Sequence, residues 1–273
     1  MTAITWRLLE AGHCTHPEAS SRIGAPWRAC EFPALVALLR HPARGWMLFD
    51  TGYGEAFMDA TRHLPESLYR RVTPVAWTPA RSVVAQLHAL GIPPSEIGTI
   101  IVSHFHGDHV GALPDFPHAE VWCAHAAWED LHARSRLSAL LKGLLPALAP
   151  PSLQRRLHYF ESASRRRLPA ELAPFGEACD LLADGSLLAV PLPGHAIGHY
   201  GLCFRERARW VFLVADAAWS VRAIAENVPP PRWATAALGD TTAYRRTLAD
   251  LHALAARGTD VLLVPSHCRS FRA

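Results

Sequence analysis

The chain has 273 residues, half of them hydrophobic and 19% charged, with a formal net charge of +3. That length can bury a sizeable core, and it fits one large domain or two small ones. The mild charge and the lack of a long Lys/Arg block give no footing for nucleic acid or an anionic membrane. Arg165, Arg166 and Arg167 are the strongest basic cluster. They are read as a solvated surface turn, with an acidic substrate or partner as the alternative.

The opening residues, "MTAITWRLLEAGHC", lack the basic and apolar regions of a secretory signal. No run reaches the roughly 20 apolar residues of a membrane span. "LSALLKGLLPALAPP" comes nearest and is broken by Lys142 and its prolines. Cys14, Cys30, Cys123, Cys179, Cys203 and Cys268 are scattered, without a Cys-x-x-Cys pair. Reduced thiols and a cytoplasmic location are therefore expected.

In chain order, 32–42 and 45–52 are apolar runs ended by turn residues and read as neighbouring strands. Residues 78–91 place Val83, Val84, Leu87 and Leu90 at helical spacing, with Gly91 as a C-terminal stop. Residues 99–103 form a short β-branched strand, 119–124 another, and 125–134 a short helix. About 128–170 is rich in Leu, Arg and Pro and reads as a helical insertion. It would pack on the core, wall a site or form a dimer surface. Strands follow at 186–194, 200–206 and 210–216, then a helix over 240–258 and a last strand at 260–267. Strands and helices alternate in both halves, which predicts a layered α/β fold.

"SHFHGDHVG", residues 103–111, crowds three histidines and an aspartate into six positions. His104 and His106 are two apart, so extended backbone points both the same way. Asp108 and His109 follow where the chain turns at Gly107. Imidazoles with a carboxylate suit zinc or another borderline divalent metal. Further polar residues cap hydrophobic strands in the second half: His195 in "PLPGHAIGH", Asp216 after "WVFLVA" and His267 after "DVLLVPS".

With these motifs the sequence resembles the metallo-β-lactamase superfamily of metal-dependent hydrolases. The matching residues are "SHFHGDHVG", "GHAIGH", "VAD" at 214–216, "PSH" at 265–267 and "LFDTG" at 48–52, in the family's order. The resemblance implies an α/β fold of the αββα sandwich type, with the helical insertion between its halves. It implies two divalent metal ions, with zinc preferred over iron, manganese or cobalt. His104, His106 and His195 would hold one ion, and Asp108, His109 and His267 the other. Asp216 would bridge them, which argues against a true β-lactamase. Asp50 and His199 would support the ligands by hydrogen bonds.

Two metals about 3.5–4 Å apart can share and activate one hydroxide. Asp108 would then be the catalytic residue that carries a proton to the leaving group. "CEFPALVALLRHPARGWMLFDTGYG" is similar to the N-terminal region of acyl-homoserine lactone lactonases. Where many of those carry Asp-Ala-Ser-Tyr, this chain has "DAAW". Trp219 cannot act as an acid and is read as an apolar wall that, with Phe105, contacts substrate. The expected function is hydrolysis of a small-molecule lactone or related ester. The alternatives are an acyclic esterase or thioesterase, or a metal-filled regulatory protein with little turnover. No nucleic-acid or membrane partner is expected, and a homodimer is left open.

Overall fold

The computed structural model describes residues 4–236 and 238–272. Seven strands form the first sheet: β1 (Thr5–Pro17), β2 (Ala29–His41), β3 (Gly45–Phe49), β4 (Val75–Ala76), β5 (Ile97–Ile101), β6 (Glu120–Cys123) and β7 (Leu157–Tyr159). Their order is β4-β1-β2-β3-β5-β6-β7, antiparallel up to β3 and parallel from β3 to β7. The second sheet holds β8 (Ser164–Arg167), β9 (Glu177–Asp180), β10 (Leu187–Pro191), β11 (Tyr200–Glu206), β12 (Arg209–Ala215) and β13 (Val261–Pro265). Their order is β13-β12-β11-β10-β9-β8, antiparallel except for the β12–β13 pair.

Side-chain alternation explains how the sheets stack. On β12, Val211, Leu213 and Ala215 join the core that also holds Val36, Leu38, Leu48 and Ile100 of the first sheet. Trp210, Phe212 and Val214 point the other way. There they meet Tyr244, Leu248, Leu251 and Leu254 of the helix Thr241–Ala256. On the outer side of the first sheet, Val83 and Leu87 of the helix Val83–Ala89 are buried. The result is the αββα sandwich the motifs implied.

Helix ends follow their local chemistry. The Asp240 carboxylate accepts the N–H groups of Thr242 and Ala243 at 2.8 and 3.0 Å and starts the long helix. Ser82 does the same for Val83–Ala89, its hydroxyl accepting the Ala85 N–H at 3.0 Å. Residues 79–81, expected within that helix, form a separate 3-10 turn because Ser82 is extended, with ψ at 149°.

The structure corrects several expectations. The thirteen-residue β1 was absent from the sequence reading, because a register shift between Glu10 and His13 breaks its alternation. The insertion over 128–170 is not wholly helical. It holds the helices His125–Ala133 and Arg136–Leu141 and several 3-10 turns, but also β7 and β8. Each extends one of the two sheets by an edge strand. Arg165, Arg166 and Arg167 lie on β8, not in a turn, and Arg166 reaches the Asp180 carboxylate at 2.8 Å. Charged side chains on an exposed edge discourage further strand pairing.

Gly194 fixes the loop after β10. Its φ is +130°, and a Cβ there would lie 2.1 Å from the Tyr244 backbone nitrogen. Gly194→Ala is expected to cost about 3 kcal/mol, from strained backbone and overpacking together. Denaturant unfolding will check this, and a cost near zero would remove the clash argument.

Candidate metal centre

The parallel pairs β3–β5 and β12–β13 end at one edge of the sandwich. Just past those ends the chain delivers Asp50, the 103–109 loop, Asp216 and His267. Backbone hydrogen bonds tie the two halves together there. The Tyr200 N–H donates to Ser103 O at 3.0 Å, and the Leu35 N–H donates to Ser266 O at 3.0 Å. Asp50 and Ala215 hold positive φ values of 62° and 46°, and such strain is affordable only where surrounding contacts enforce it.

Gly107 opens a single helical turn, Gly107–Val110, that carries Asp108 and His109. The sequence reading gave Gly107 the task of relieving a turn, but its φ is not among the positive ones. Its lack of a side chain serves packing: a Cβ would lie 2.8 Å from the Phe57 ring.

His104, His106 and His195 converge. His106 Nδ1 lies 2.9 Å from His104 Nε2 and 3.0 Å from His195 Nε2. On its far side His104 Nδ1 faces the Ser103 hydroxyl at 2.9 Å. The backbone of Lys142 hydrogen-bonds His106. Those outer partners use up the ring protons of neutral His104 and His106, so lone pairs face inward. Burial lowers the His106 pKa to about 4 and holds His104 and His195 well below the ordinary histidine value.

The second group is Asp108, His109, Asp216 and His267. His267 Nδ1 donates to Pro33 O at 2.7 Å, which turns Nε2 toward Asp216 at 3.1 Å and Asp108 at 3.3 Å. His109 Nδ1 donates to Asp50 at 2.7 Å, which turns its Nε2 toward Asp216 Oδ1 at 3.3 Å. Asp216 Oδ2 lies 3.1 Å from His195 Nε2, so this carboxylate touches both groups. Here the titration runs the other way. Burial opposes charge on His109 and His267, but facing carboxylates, Asp216 foremost, override it and raise both pKa values. Burial likewise opposes charge on Asp216, yet His267, His109 and His195 hold it well below the usual carboxylate range.

The donor set fits two divalent cations. Three combinations bring ligand atoms within 4.8 Å of one another: His104 with His106 and His195, His104 with His109 and Asp216, and Asp108 with His109 and His267. His109 Nε2, His195 Nδ1 and Asp216 Oδ1 are buried and make no hydrogen bond. The 3.3 Å approach of His109 Nε2 to Asp216 Oδ1 is thus a charge contact without hydrogen-bond alignment. Buried polar atoms normally find partners, so the unpaired His109 Nε2 and Asp216 Oδ1 suit a cation between them, and His195 turns Nε2 to the cluster.

Asp50 supports this group from behind. Its carboxylate accepts the Ser103 N–H at 2.7 Å, the Ser103 hydroxyl at 2.8 Å and His109 Nδ1. His199 donates from Nδ1 to Leu192 O at 3.0 Å and accepts the Asp216 N–H at Nε2 at 3.1 Å. Both its nitrogens are occupied away from the cluster. Trp219 contributes more than a wall, since its indole N–H donates to Asp216 Oδ2 at 3.1 Å. Phe105 is buried against Trp128 and lines a cavity of about 420 Å³ that opens beside His106. Ser103, Asp130, Arg134 and Lys142 received no role from the sequence. Only Ser103 carried a signal, as the residue that opens the histidine motif.

A sequence profile described as the Metallo-beta-lactamase superfamily matches residues 31–267. The chain belongs to that superfamily. It is 31% identical over 185 residues to a protein of Mycobacterium tuberculosis named "Probable metallo-hydrolase", covering 63% of this chain and 53% of that one. The match thus spans about half the length of that relative. It is 28% identical over 243 residues to an N-acyl homoserine lactonase of Azorhizobium caulinodans, covering 87% of this chain and 82% of that one. The fold also matches an N-acyl homoserine lactone hydrolase solved with N-hexanoyl-L-homoserine at its catalytic metal center. The TM-score is 0.74 at 19% identity, covering 99% of this chain and 95% of that one.

Asp50→Asn keeps the shape of the residue but removes the charge that orients His109. Metal affinity is expected to fall about 10- to 100-fold, with the sandwich still folded. Competition with a chromophoric chelator will measure it, and unchanged affinity would show that Asp50 serves the fold alone. Removing metal with a chelator is expected to lower stability by about 2.7 kcal/mol for each ion that had been held at 100 times its dissociation constant. Thermal unfolding with and without metal reads that difference.

Proposed function

We propose that the chain is a dinuclear metal-dependent hydrolase of a lactone or related ester, with acyl-homoserine lactones as first candidates. The single observation that carries this reading is the convergence of seven side chains, five imidazoles and two carboxylates, with His109 Nε2 and Asp216 Oδ1 buried and unpaired among them. His104, His106 and His195 would hold one ion and Asp108, His109 and His267 the other, with Asp216 shared between the two groups. Zinc suits this donor set ahead of iron, manganese or cobalt. A similarly folded protein is described as a dizinc quorum-quenching lactonase, with a TM-score of 0.68 and 16% identity.

When bound, the metal pair supplies an acidified water and an electrophilic contact for a carbonyl oxygen. The chain's own residues do the rest. Asp216 fixes the spacing of the two groups, and Trp219 holds its Oδ2 in place. Asp108 carries the proton to the alkoxide leaving group. Its side chain is 12% exposed against 4% for Asp216, so it can reach both substrate and water. Phe105 and the adjoining cavity take the acyl group. The cavity lies within the usual size range of small-ligand sites.

The whole of 1–273 acts as one domain in this reading, because both halves furnish ligands. Six buried free cysteines support a reducing, cytoplasmic location. No helix among the described residues is long and apolar enough to cross a membrane.

The test is proton release from a panel of lactones, acyclic esters and thioesters, with metal-loaded protein beside Asp216→Asn and His104→Ala. Both substitutions are expected to lower kcat/KM at least about 100-fold, since each removes a ligand. Turnover of thioesters alone would move the assignment to that class. Full metal loading with no turnover across the panel would favour the regulatory alternative.

A further inference from the structure

Lys142 is the one lysine of the chain; the other 26 of its 27 Lys and Arg residues are arginines. It caps the helix Arg136–Leu141 inside the insertion. The backbone beyond it is fastened to the histidine loop. Gly143 O accepts the Gly107 N–H at 3.3 Å, and His106 and Leu144 form an isolated β-bridge. Lys142 is therefore held at a fixed offset from His106. Lys142 is among the residues that line the cavity of about 420 Å³, together with Phe105 and Leu144.

The other charges on that lining are already engaged. Arg134 grips Asp130 with two bonds, at 2.8 and 2.7 Å. Asp240 accepts two backbone N–H groups as a helix cap. Lys142 has no ion pair or side-chain hydrogen bond among the described residues. An apolar ligand filling the cavity would strip water from this ammonium and offer nothing in return. A ligand with an anionic end would pair with it. As a compact point charge with rotatable donors, an ammonium can pair with a carboxylate from many directions, without the fixed fork of an arginine.

We propose that Lys142 determines specificity: the acyl group taken into this cavity ends in a carboxylate, which pairs with the Lys142 ammonium. This rests on the hydrolase reading above and names its substrate class. The reacting carbonyl sits at the metal end and the second anion at the insertion end.

Hexanoate and adipate test it, because they share six carbons and differ in the terminal carboxylate. The first readout needs no turnover. A water-soluble succinimidyl ester acylates the single ε-amine of metal-loaded protein, and peptide mass spectrometry follows residue 142. Adipate is expected to slow this labelling several-fold more than hexanoate does. The second readout compares hexanoyl and adipoyl esters of one alcohol. Lys142→Met is expected to lower kcat/KM about 10-fold or more on the adipoyl ester alone, the loss of one charge-assisted contact. Lys142→Arg should restore part of it. Equal protection by the two acids, or a parallel loss on both esters, would overturn the proposal. If neither ester is cleaved, turnover on the lactone and thioester panel decides the hydrolase reading, and the labelling result separately decides whether Lys142 binds the anion.

Discussion

Inward-facing lone pairs and carboxylates cannot stay buried together without positive charge between them. That constraint governs this molecule. Five imidazoles and two carboxylates meet at one edge of the sandwich, and three of their atoms lack any hydrogen-bond partner. The opposite titration of the two groups expresses the same need. Around His106 there is no nearby carboxylate strong enough to offset burial, so the rings stay neutral. Around Asp216 the carboxylates raise the affinity of His109 and His267 for protons. A cation bound there would need both imidazoles neutral.

Much of the fold serves to hold that arrangement against its own repulsion. Three histidines of the cluster are anchored on Nδ1: His267 by Pro33 O, His109 by Asp50 and His104 by Ser103. The anchors come from both sheets. Pro33 lies on β2 and grips a residue that follows β13, so the first sheet orients a ligand of the second. The left-handed backbone of Asp50 and Ala215 belongs to the same scheme, since it turns the chain sharply where a strand ends and a functional carboxylate begins.

The sequence made the ligands legible because they are chemically conspicuous and sit at the ends of apolar strands. Val211, Leu213 and the strand they belong to could be read from hydrophobicity alone, and Asp216 stood out at its end. β1 could not be read so, because its irregularity between Glu10 and His13 hides the alternation. β7 and β8 are short edge strands of three and four residues, and pairing with a neighbour defines them more than composition does. The supporting contacts were the least visible. Nothing in the sequence says that Trp219 reaches Asp216, or that Lys142 and Arg134 line the cavity beside His106. Those facts depend on how the insertion folds back, a long-range packing outcome with no local periodicity.

The Trp219 contact narrows the chemistry that the centre can use. Its indole N–H is committed to Asp216, and it could not release a proton in any case. The hydroxyls of Tyr53 and Tyr244 are buried without partners, and burial raises both well above the ordinary phenol value. Neither is a ready acid. Asp50 is enclosed by Ser103 and His109, and Asp216 is surrounded by imidazoles and the indole. Asp108 is the carboxylate of the cluster that combines contact with the ligand group and exposure to solvent. In the proposed hydrolysis, proton movement to a leaving alkoxide would converge on that one side chain. The centre should favour substrates whose leaving oxygen can be brought to Asp108, a condition that a tethered lactone oxygen meets more readily than a freely departing alcohol.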